Sequence, residues 1–171
     1  LLLKKQGYDG IGVYMRGFDA DGCAAKDAMD ARRVAEKIGI SAYKISSFEI
    51  TWLELIRKIG STGKPVIIST GMGDYTEIWQ AIKTIRDFHK RFWLLHCISK
   101  YPSKSEDMNL RTIIDLSRYC MGRVGLSDHS TSIFIPSIAV SMGAMIIEKH
   151  FKIDDDGLDA AFSLHPYHFT Q

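Results

Sequence analysis

Two histidines stand at matching places in successive repeats of this sequence, each after a short apolar run. His129 follows residues 123–127 and His150 follows residues 144–149. If these runs are neighbouring parallel strands, the two side chains start about 4.8 Å apart. Two imidazoles with positions left open for water and substrate suit one catalytic divalent metal, and Mn, Zn, Co and Fe are all compatible with such ligands. A single histidine more often satisfies a hydrogen bond, so the prediction depends on the pair.

A lysine inside a predicted strand indicates an anionic ligand. Lys44 lies within residues 42–46, and a buried ammonium group is costly unless a phosphate or carboxylate neutralises it. Hydroxyl and backbone groups at the strand ends could serve the same oxyanion, although each alone is also typical of turns; they are Ser47, Ser69, Thr70, Gly71, Ser99 and Ser127. Glu148 either orients a metal-bound water or substrate, or pairs with Lys149 or Lys44.

Cys97 follows His96 directly, which suggests a nucleophile and its base. Adjacent residues of a strand point to opposite faces, so these two cannot pair, and we expect a buried structural thiol. The three cysteines have no Cys-x-x-Cys spacing, which argues against a disulfide framework or a zinc knuckle. A reduced, cytoplasmic setting is therefore expected.

The elements that must position these groups repeat as strand, loop and amphipathic helix. Strands are predicted over residues 10–15, 42–46, 65–69, 92–96, 123–127 and 144–149, and helices over 24–38, 51–59, 109–119 and 136–142, with another opening at the capping box Asp74-x-x-Glu77. Six such units predict an α/β fold with a parallel sheet and a ligand site at the carboxyl ends of its strands. A closed barrel needs eight units, so the fold is an open doubly wound sheet or an incomplete TIM-type barrel of about six βα units.

Length and composition exclude several classes of protein. The 171 residues suit one globular domain, and the net charge of +2 is spread along the chain without a basic block, so no nucleic-acid partner is expected. No apolar run approaches the ~18 residues of a membrane span. The chain opens Leu1-Leu2-Leu3 without Met, which suggests a fragment.

Residues 41–171 carry a series of motifs in one order. They are Tyr43-Lys44-Ile45-Ser46-Ser47-Phe48-Glu49-Ile50, Gly63-Lys64-Pro65, Ser69-Thr70-Gly71-Met72, Leu94-Leu95-His96-Cys97, Tyr101-Pro102, Glu106-Asp107-Met108-Asn109-Leu110, Gly125-Leu126-Ser127-Asp128-His129, Glu148-Lys149-His150-Phe151 and Ala161-Phe162-Ser163-Leu164. In these motifs the segment resembles the sialic acid synthase family, the phosphoenolpyruvate-dependent N-acetylneuraminate, legionaminate and pseudaminate synthases.

The resemblance implies strands four to eight of a TIM barrel and a condensation of phosphoenolpyruvate with the aldehyde of an N-acylated hexosamine, which gives a nonulosonic acid and phosphate. It implies that Lys44, Ser47, Ser69, Ser99 and Ser127 bind phosphoenolpyruvate, that Glu49, Tyr101 and Asp159 lie near the sugar, and that His129 and His150 bind a divalent metal, Mn or Mg. Together with the role argued above for Glu148, this makes Glu49 and Glu148 the predicted catalytic residues. The full-length family suggests a homodimer. The family's first two strands and its C-terminal domain have no counterpart here, so activity of the shortened chain is left open.

Residues 1–40 resemble a different family, the tRNA 2-thiouridylases. The motifs are Lys5-Gln6-Gly7-Tyr8-Asp9, Ile11-Gly12-Val13, Asp21-Gly22-Cys23 and 30–40. This suggests a chimera joined near residues 39–43, in which the strand over 10–15 stands in for the third barrel strand. Two alternatives to the synthase follow: a non-catalytic chimeric scaffold with an anion pocket, and a tRNA thiolation domain. The second lacks the family's phosphate-binding loop and a basic face.

Overall fold

The computed structural model describes residues 39–170, in which strands and helices alternate. The strands are β1 (Tyr43–Ile45), β2 (Val66–Ser69), β3 (Phe92–Cys97), β4 (Val124–Asp128) and β5 (Ile146–Lys149), and the helices are α1 (Leu53–Gly60), α2 (Tyr75–Arg86), α3 (Thr112–Tyr119) and α4 (Ile135–Ser141). These confirm the elements predicted over this range, with ends shifted by a few residues. The strand predicted over 10–15 and the helix over 24–38 lie outside the described residues.

The five described strands form one parallel sheet in the order β1-β2-β3-β4-β5. A right-handed crossover between each strand and its next neighbour carries every connecting helix to the same side of the sheet. A doubly wound sheet would instead reverse its strand order and place helices on both sides. The described part is therefore a segment of barrel wall, and the doubly wound alternative is wrong. The first of the six predicted units, with its strand over 10–15, lies outside the described residues, so the count of six stays a prediction.

Strand register assigns each side chain to one of two faces. Lys44 is paired with Ile67, and Ser127 is paired with both Cys97 and Glu148. Registered residues on neighbouring strands share a face, and successive residues along a strand point to opposite faces. The side away from the helices is here called the inner face. It carries a polar set: Lys44, Ser69, Cys97, Ser127 and Glu148. The helix-covered outer face carries apolar residues and the three polar residues His96, Asp128 and Lys149.

The hydrophobic core lies between the outer face and the helices. On α2 the residues Ile78, Ala81, Ile82 and Ile85 recur at helical spacing and are buried against the strands. The predicted capping box opens this helix: Asp74 Oδ1 accepts the Glu77 amide proton at 2.8 Å, and Glu77 Oε2 accepts that of Asp74 at 2.8 Å. Among residues 39–170 there is no helix of the length and apolar character that a membrane crossing requires.

The segment after β5 folds back along the end of that strand. Leu164 donates its amide proton to the His150 carbonyl at 3.0 Å, and Lys152 donates to the Leu164 carbonyl at 3.0 Å. Phe151 and Leu164 thereby form a parallel bridge. The return carries the short 3₁₀ helix Ala160–Phe162, with Asp159 before it, to the carboxyl end of β5.

Candidate functional site

The inner face holds a buried ammonium group. The Lys44 side chain is 6% exposed, and its Nζ donates to Ser69 Oγ at 2.8 Å and to the Ile45 carbonyl at 3.2 Å. Glu148 Oε2 lies 3.4 Å from the same nitrogen. Of the two lysines considered as partners of Glu148, Lys44 is the one observed. Lys149 lies on the other face of the sheet, because adjacent strand residues alternate.

A second cluster adjoins this ammonium group where β1 and β2 end. Ser47 opens the 3₁₀ helix Ser47–Glu49, and its Oγ accepts the Gly71 amide proton at 3.0 Å and lies 2.9 Å from Cys97 Sγ. A Cβ on Gly71 would come within 2.5 Å of Cys97 Sγ and 2.8 Å of Ser99 Oγ, so the backbone packs directly against both side chains. Position 71 therefore has room only for glycine, because a side chain would collide with these atoms.

Cys97 is buried, as predicted, with 2% of its surface exposed. The sequence interpretation missed that its thiol lines the site. His96 does point the other way, and its Nε2 lies 2.6 Å from the Met108 carbonyl on the outer face. The signal was available, because the alternation that separates Cys97 from His96 also places the thiol on the face opposite the helices.

Of the three buried side-chain atoms without a hydrogen bond among the described residues, two lie in the same region, and the third, His89 Nε2, lies on the loop before β3. Among the described residues, the buried side-chain oxygens without a hydrogen bond are Ser99 Oγ and Glu148 Oε2. Buried polar atoms are nearly always hydrogen-bonded, so such oxygens indicate a place where a ligand or water completes the bonding. Both belong to the predicted set of site residues.

The two predicted metal ligands face one another. The ring centroids of His129 and His150 are 5.6 Å apart, at an interplanar angle of 64°. His129 Nδ1 lies 2.7 Å from the Ile98 carbonyl, which can only accept, so this nitrogen carries the proton and Nε2 keeps its lone pair. Ser127 Oγ lies 3.2 Å from that Nε2. Burial lowers the pKa of His129, which favours the neutral, ligating form.

The predicted sugar-binding residues surround these imidazoles. The Tyr101 ring lies 4.0 Å from that of His129 and 5.8 Å from that of His150. Asp159 Oδ2 lies 3.5 Å from His150 Nδ1, and the Phe162 ring, which the sequence interpretation gave no role, lies 4.9 Å from the His150 ring. Burial, followed by the neighbouring Cys97 and Glu148, raises the pKa of Tyr101, so its hydroxyl stays protonated.

The imidazole pair fits part of a metal site. Within residues 39–170 no three His, Cys, Asp or Glu side chains converge as a ligand set. The protein groups present are thus two nitrogens, one of them oriented by a backbone carbonyl in the way that ligating histidines are. Such a pair suits a divalent ion whose other ligands are water or substrate oxygens, the arrangement expected from the sequence.

Glu49 takes a different place from the other predicted residues. Its Oε2 accepts from the Ser46 amide at 3.2 Å and from Ser46 Oγ at 3.0 Å, within its own turn. Among the contacts of the described residues, none joins Glu49 to the Lys44 ammonium or to the imidazoles. Its carboxylate therefore stabilises the turn that carries Ser47.

The fold and this face define an α/β protein of the barrel type, with a cationic and imidazole-bearing site at the strand carboxyl ends. The chain belongs to the NeuB family, whose family model matches residues 23–171. It is 43% identical over 141 residues to the uncharacterized protein MJ1065 of Methanocaldococcus jannaschii, covering 81% of this chain and 42% of that protein. It is 40% identical over 137 residues to a pseudaminic acid synthase of Helicobacter pylori, covering 78% of this chain and 40% of the synthase.

A solved structure resembles the chain as well. The N-acetylneuraminic acid (sialic acid) synthetase of Leptospira borgpetersenii serovar Hardjo-bovis, in complex with citrate, superposes with a TM-score of 0.74 at 35% identity, over 81% of this chain and 50% of that one. The chain thus spans about two fifths of the length of these curated relatives. The comparisons support the predicted synthase family. They give no support to the thiouridylase resemblance of residues 1–40, and the family match already begins at residue 23.

Proposed function

We propose that this chain carries the catalytic face of a phosphoenolpyruvate-dependent nonulosonic acid synthase. In this reaction the enol carbon of phosphoenolpyruvate forms a bond to the aldehyde carbon of an N-acylated hexosamine. Water then adds to the resulting oxocarbenium centre, and the C–O bond to phosphate breaks, which releases phosphate and the nonulosonic acid. Membership of a family that includes pseudaminic and sialic acid synthases supports the proposal.

The anionic end of phosphoenolpyruvate binds at the Lys44 ammonium in this proposal. Lys44 is almost fully buried and already holds the Ser69 hydroxyl at 2.8 Å, so it offers an ordered positive centre rather than a mobile surface charge. The hydroxyls of Ser47, Ser99 and Ser127 supply further hydrogen bonds. The unpaired Ser99 Oγ supports this assignment, because a phosphate or carboxylate oxygen satisfies it.

The aldehyde end of the sugar binds at the imidazole pair. His129 and His150 would hold a divalent metal, Mn or Mg, and the metal would polarise the aldehyde carbonyl. Tyr101 lies against the His129 ring and presents a protonated hydroxyl, and Asp159 approaches His150. These two side chains orient the sugar hydroxyls. Because His129, His150 and Lys44 belong to one face, both substrates meet over the same strands.

Two carboxylates complete the proposed assignment. Glu148 stands beside the Lys44 ammonium with 37% of its side chain exposed, so it reaches both the anion and solvent. We assign it the orientation of the attacking water, from which Oε2, an atom without a hydrogen bond in the structure, can accept one. Glu49 is assigned a contact to the sugar from the turn that carries Ser47.

The observation that carries the proposal is that the buried ammonium group and the two imidazoles lie on the same face of the sheet. The test is phosphate release from phosphoenolpyruvate, with and without N-acetylmannosamine, in the presence of Mn²⁺ or after its removal by EDTA. We expect release that requires both substrates and the metal. Lys44→Met should abolish it, whereas Lys58→Met, an exposed lysine of α1, serves as the matched control and should retain it.

Each result separates the synthase from its alternatives. Phosphoenolpyruvate binding that depends on Lys44, without any phosphate release, would instead favour a non-catalytic scaffold with an anion pocket. Absence of binding, with a folded chain, would reject the pocket itself. Release that persists in Lys44→Met would contradict the assignment of the anion site.

A further inference from the structure

A buried ion pair lies behind the imidazoles, on the outer face. Lys149 Nζ lies 2.7 Å from Asp128 Oδ2, and the two side chains are 3% and 0% exposed. Lys149 also donates to the Ser130 carbonyl, and Asp128 Oδ1 accepts the Ser130 amide proton at 2.8 Å. Every oxygen of this carboxylate is thus engaged, and the ammonium group joins β5 to the loop that follows β4.

The position of this pair in the sheet is specific. Asp128 and Lys149 are registered partners and form the last pair of the ladder between β4 and β5. His129 and His150 are the next residues along each strand. Beyond the ladder their backbones are bonded elsewhere: the His129 carbonyl accepts from Ser103, and the His150 carbonyl accepts from Leu164. The ion pair therefore links the two strands at the last registered position before their backbones separate.

Stability alone does not account for such a pair. Burying two charges costs solvation free energy that their attraction often fails to recover, and apolar residues of similar size are frequently at least as stabilising. An ion pair does fix distance and direction, because the ammonium group must satisfy the carboxylate and the carbonyl together. What it fixes here is the separation of two strand ends, each of which carries an imidazole.

We infer that the Asp128–Lys149 pair is a positioning device that sets the separation of His129 and His150 and thereby the affinity of the site for a divalent metal. The part of the inference that concerns metal affinity rests on the proposed function. The part that concerns the separation of the two histidines does not. The neighbours of metal ligands commonly change metal affinity by about 10- to 100-fold when they are removed. Here the effect passes through the backbone, so we expect a loss near the lower limit of that range.

The test uses the 171-residue chain and a variant that leaves no unpaired charge, Asp128→Asn/Lys149→Met. Asp128→Asn/Lys149→Gln is the second variant should the first unfold. The first readout, on metal-free protein with labelled histidines, is the nuclear Overhauser effect between the His129 and His150 rings. The second is the affinity for Mn²⁺ alone, from the electron paramagnetic resonance signal of the free ion. Asp115→Asn, which breaks an exposed pair with Arg118 on α3, is the control.

We expect the ring-to-ring signal to vanish and Mn²⁺ affinity to fall about tenfold in the folded double variant, with both unchanged in the control. A ring signal that survives, or one that vanishes while Mn²⁺ affinity stays within about twofold, overturns the inference. If the parent chain binds no Mn²⁺, the metal part of the proposed function fails, whereas loss of the ring signal in the variant still supports the positioning of the two histidines.

Discussion

The two faces of this sheet treat polar groups in opposite ways. On the outer face the Asp128 carboxylate is fully buried with both oxygens bonded, and the Lys149 ammonium, on a side chain that is 3% exposed, donates to two acceptors. On the inner face the Lys44 ammonium is paired with a carboxylate that is partly exposed and has an oxygen without a hydrogen bond. The difference separates polar groups that hold the fold together from polar groups that retain bonding capacity for a ligand.

The largest expected effect is on the outer face. Lys149→Met leaves the Asp128 carboxylate buried without a cation, and breaking a buried pair in this way costs about 3–5 kcal/mol. Urea denaturation at neutral pH measures the free energy of unfolding. The double variant Asp128→Asn/Lys149→Met is the control and should recover most of the loss. A single variant as stable as the parent would contradict the structural role of the pair.

The next largest effect is expected at Gly71, whose backbone packs against Cys97 on the inner face. Gly71→Ala places a methyl group where Cys97 Sγ and the Cys97 carbonyl would lie at 2.5 and 2.7 Å, so the backbone must move. Overpacking of this kind costs about 1–3 kcal/mol, and the movement should also weaken binding of phosphoenolpyruvate. Thermal unfolding and calorimetric titration measure the two effects. Gly157→Ala, where a Cβ meets no atom within 4 Å, is the matched control.

A smaller effect on stability is expected when Lys44, the buried lysine of the inner face, is replaced. Lys44→Met removes the partner of Ser69 Oγ and Glu148, but 37% of the Glu148 side chain is exposed, so its carboxylate can rotate into solvent. We expect a change of about 1 kcal/mol, far below that of Lys149→Met, together with loss of anion binding. Denaturation of the two lysine variants side by side checks this. Equal destabilisation by both would remove the distinction between the faces.

The smallest effect is a dependence on pH through His96. Burial lowers the pKa of His96 from 6.5, so the unfolded chain takes up a proton before the folded chain does. Folding stability is therefore full above pH 6.5 and falls as the pH decreases towards the lowered value. From about pH 7 to about pH 6, this one group contributes at most about 0.7 kcal/mol.

His96→Gln tests this dependence, because the amide of Gln can still donate to the Met108 carbonyl while it cannot titrate. Stability measured across this pH range should fall less steeply in the variant than in the parent. A parent and a His96→Gln variant with identical slopes would show that His96 does not contribute.

Local patterns in the sequence predicted most of the described elements. The Asp74 and Glu77 capping box located the start of α2, and the apolar runs located five strands, because these signals depend on residues close in the chain. Strand order could not be read in this way. The choice between a doubly wound sheet and a barrel wall depends on which strands become neighbours, a property of the whole sheet.

The sequence predicted those residues of the site that lie within strands or at their ends. His129 and His150 lie together because they end neighbouring strands, and Lys44 lies on their face. The approach of Asp159 and Phe162 to His150 needed the return of the chain after β5, which no local pattern signals. The partner of Glu148 was predictable: Lys149, its neighbour on the strand, points to the opposite face, which leaves Lys44.

The inner ion pair has a consequence for selectivity. Before any ligand arrives, Glu148 already occupies one side of the Lys44 ammonium, so the site contains its own competitor. A halide or another monovalent anion gains little by displacing a tethered carboxylate. A ligand with several oxygens, which can engage Lys44 and the unbonded Ser99 hydroxyl at once, gains more. In the proposed anion site, this internal competitor would therefore disfavour simple salts relative to ligands with several oxygens.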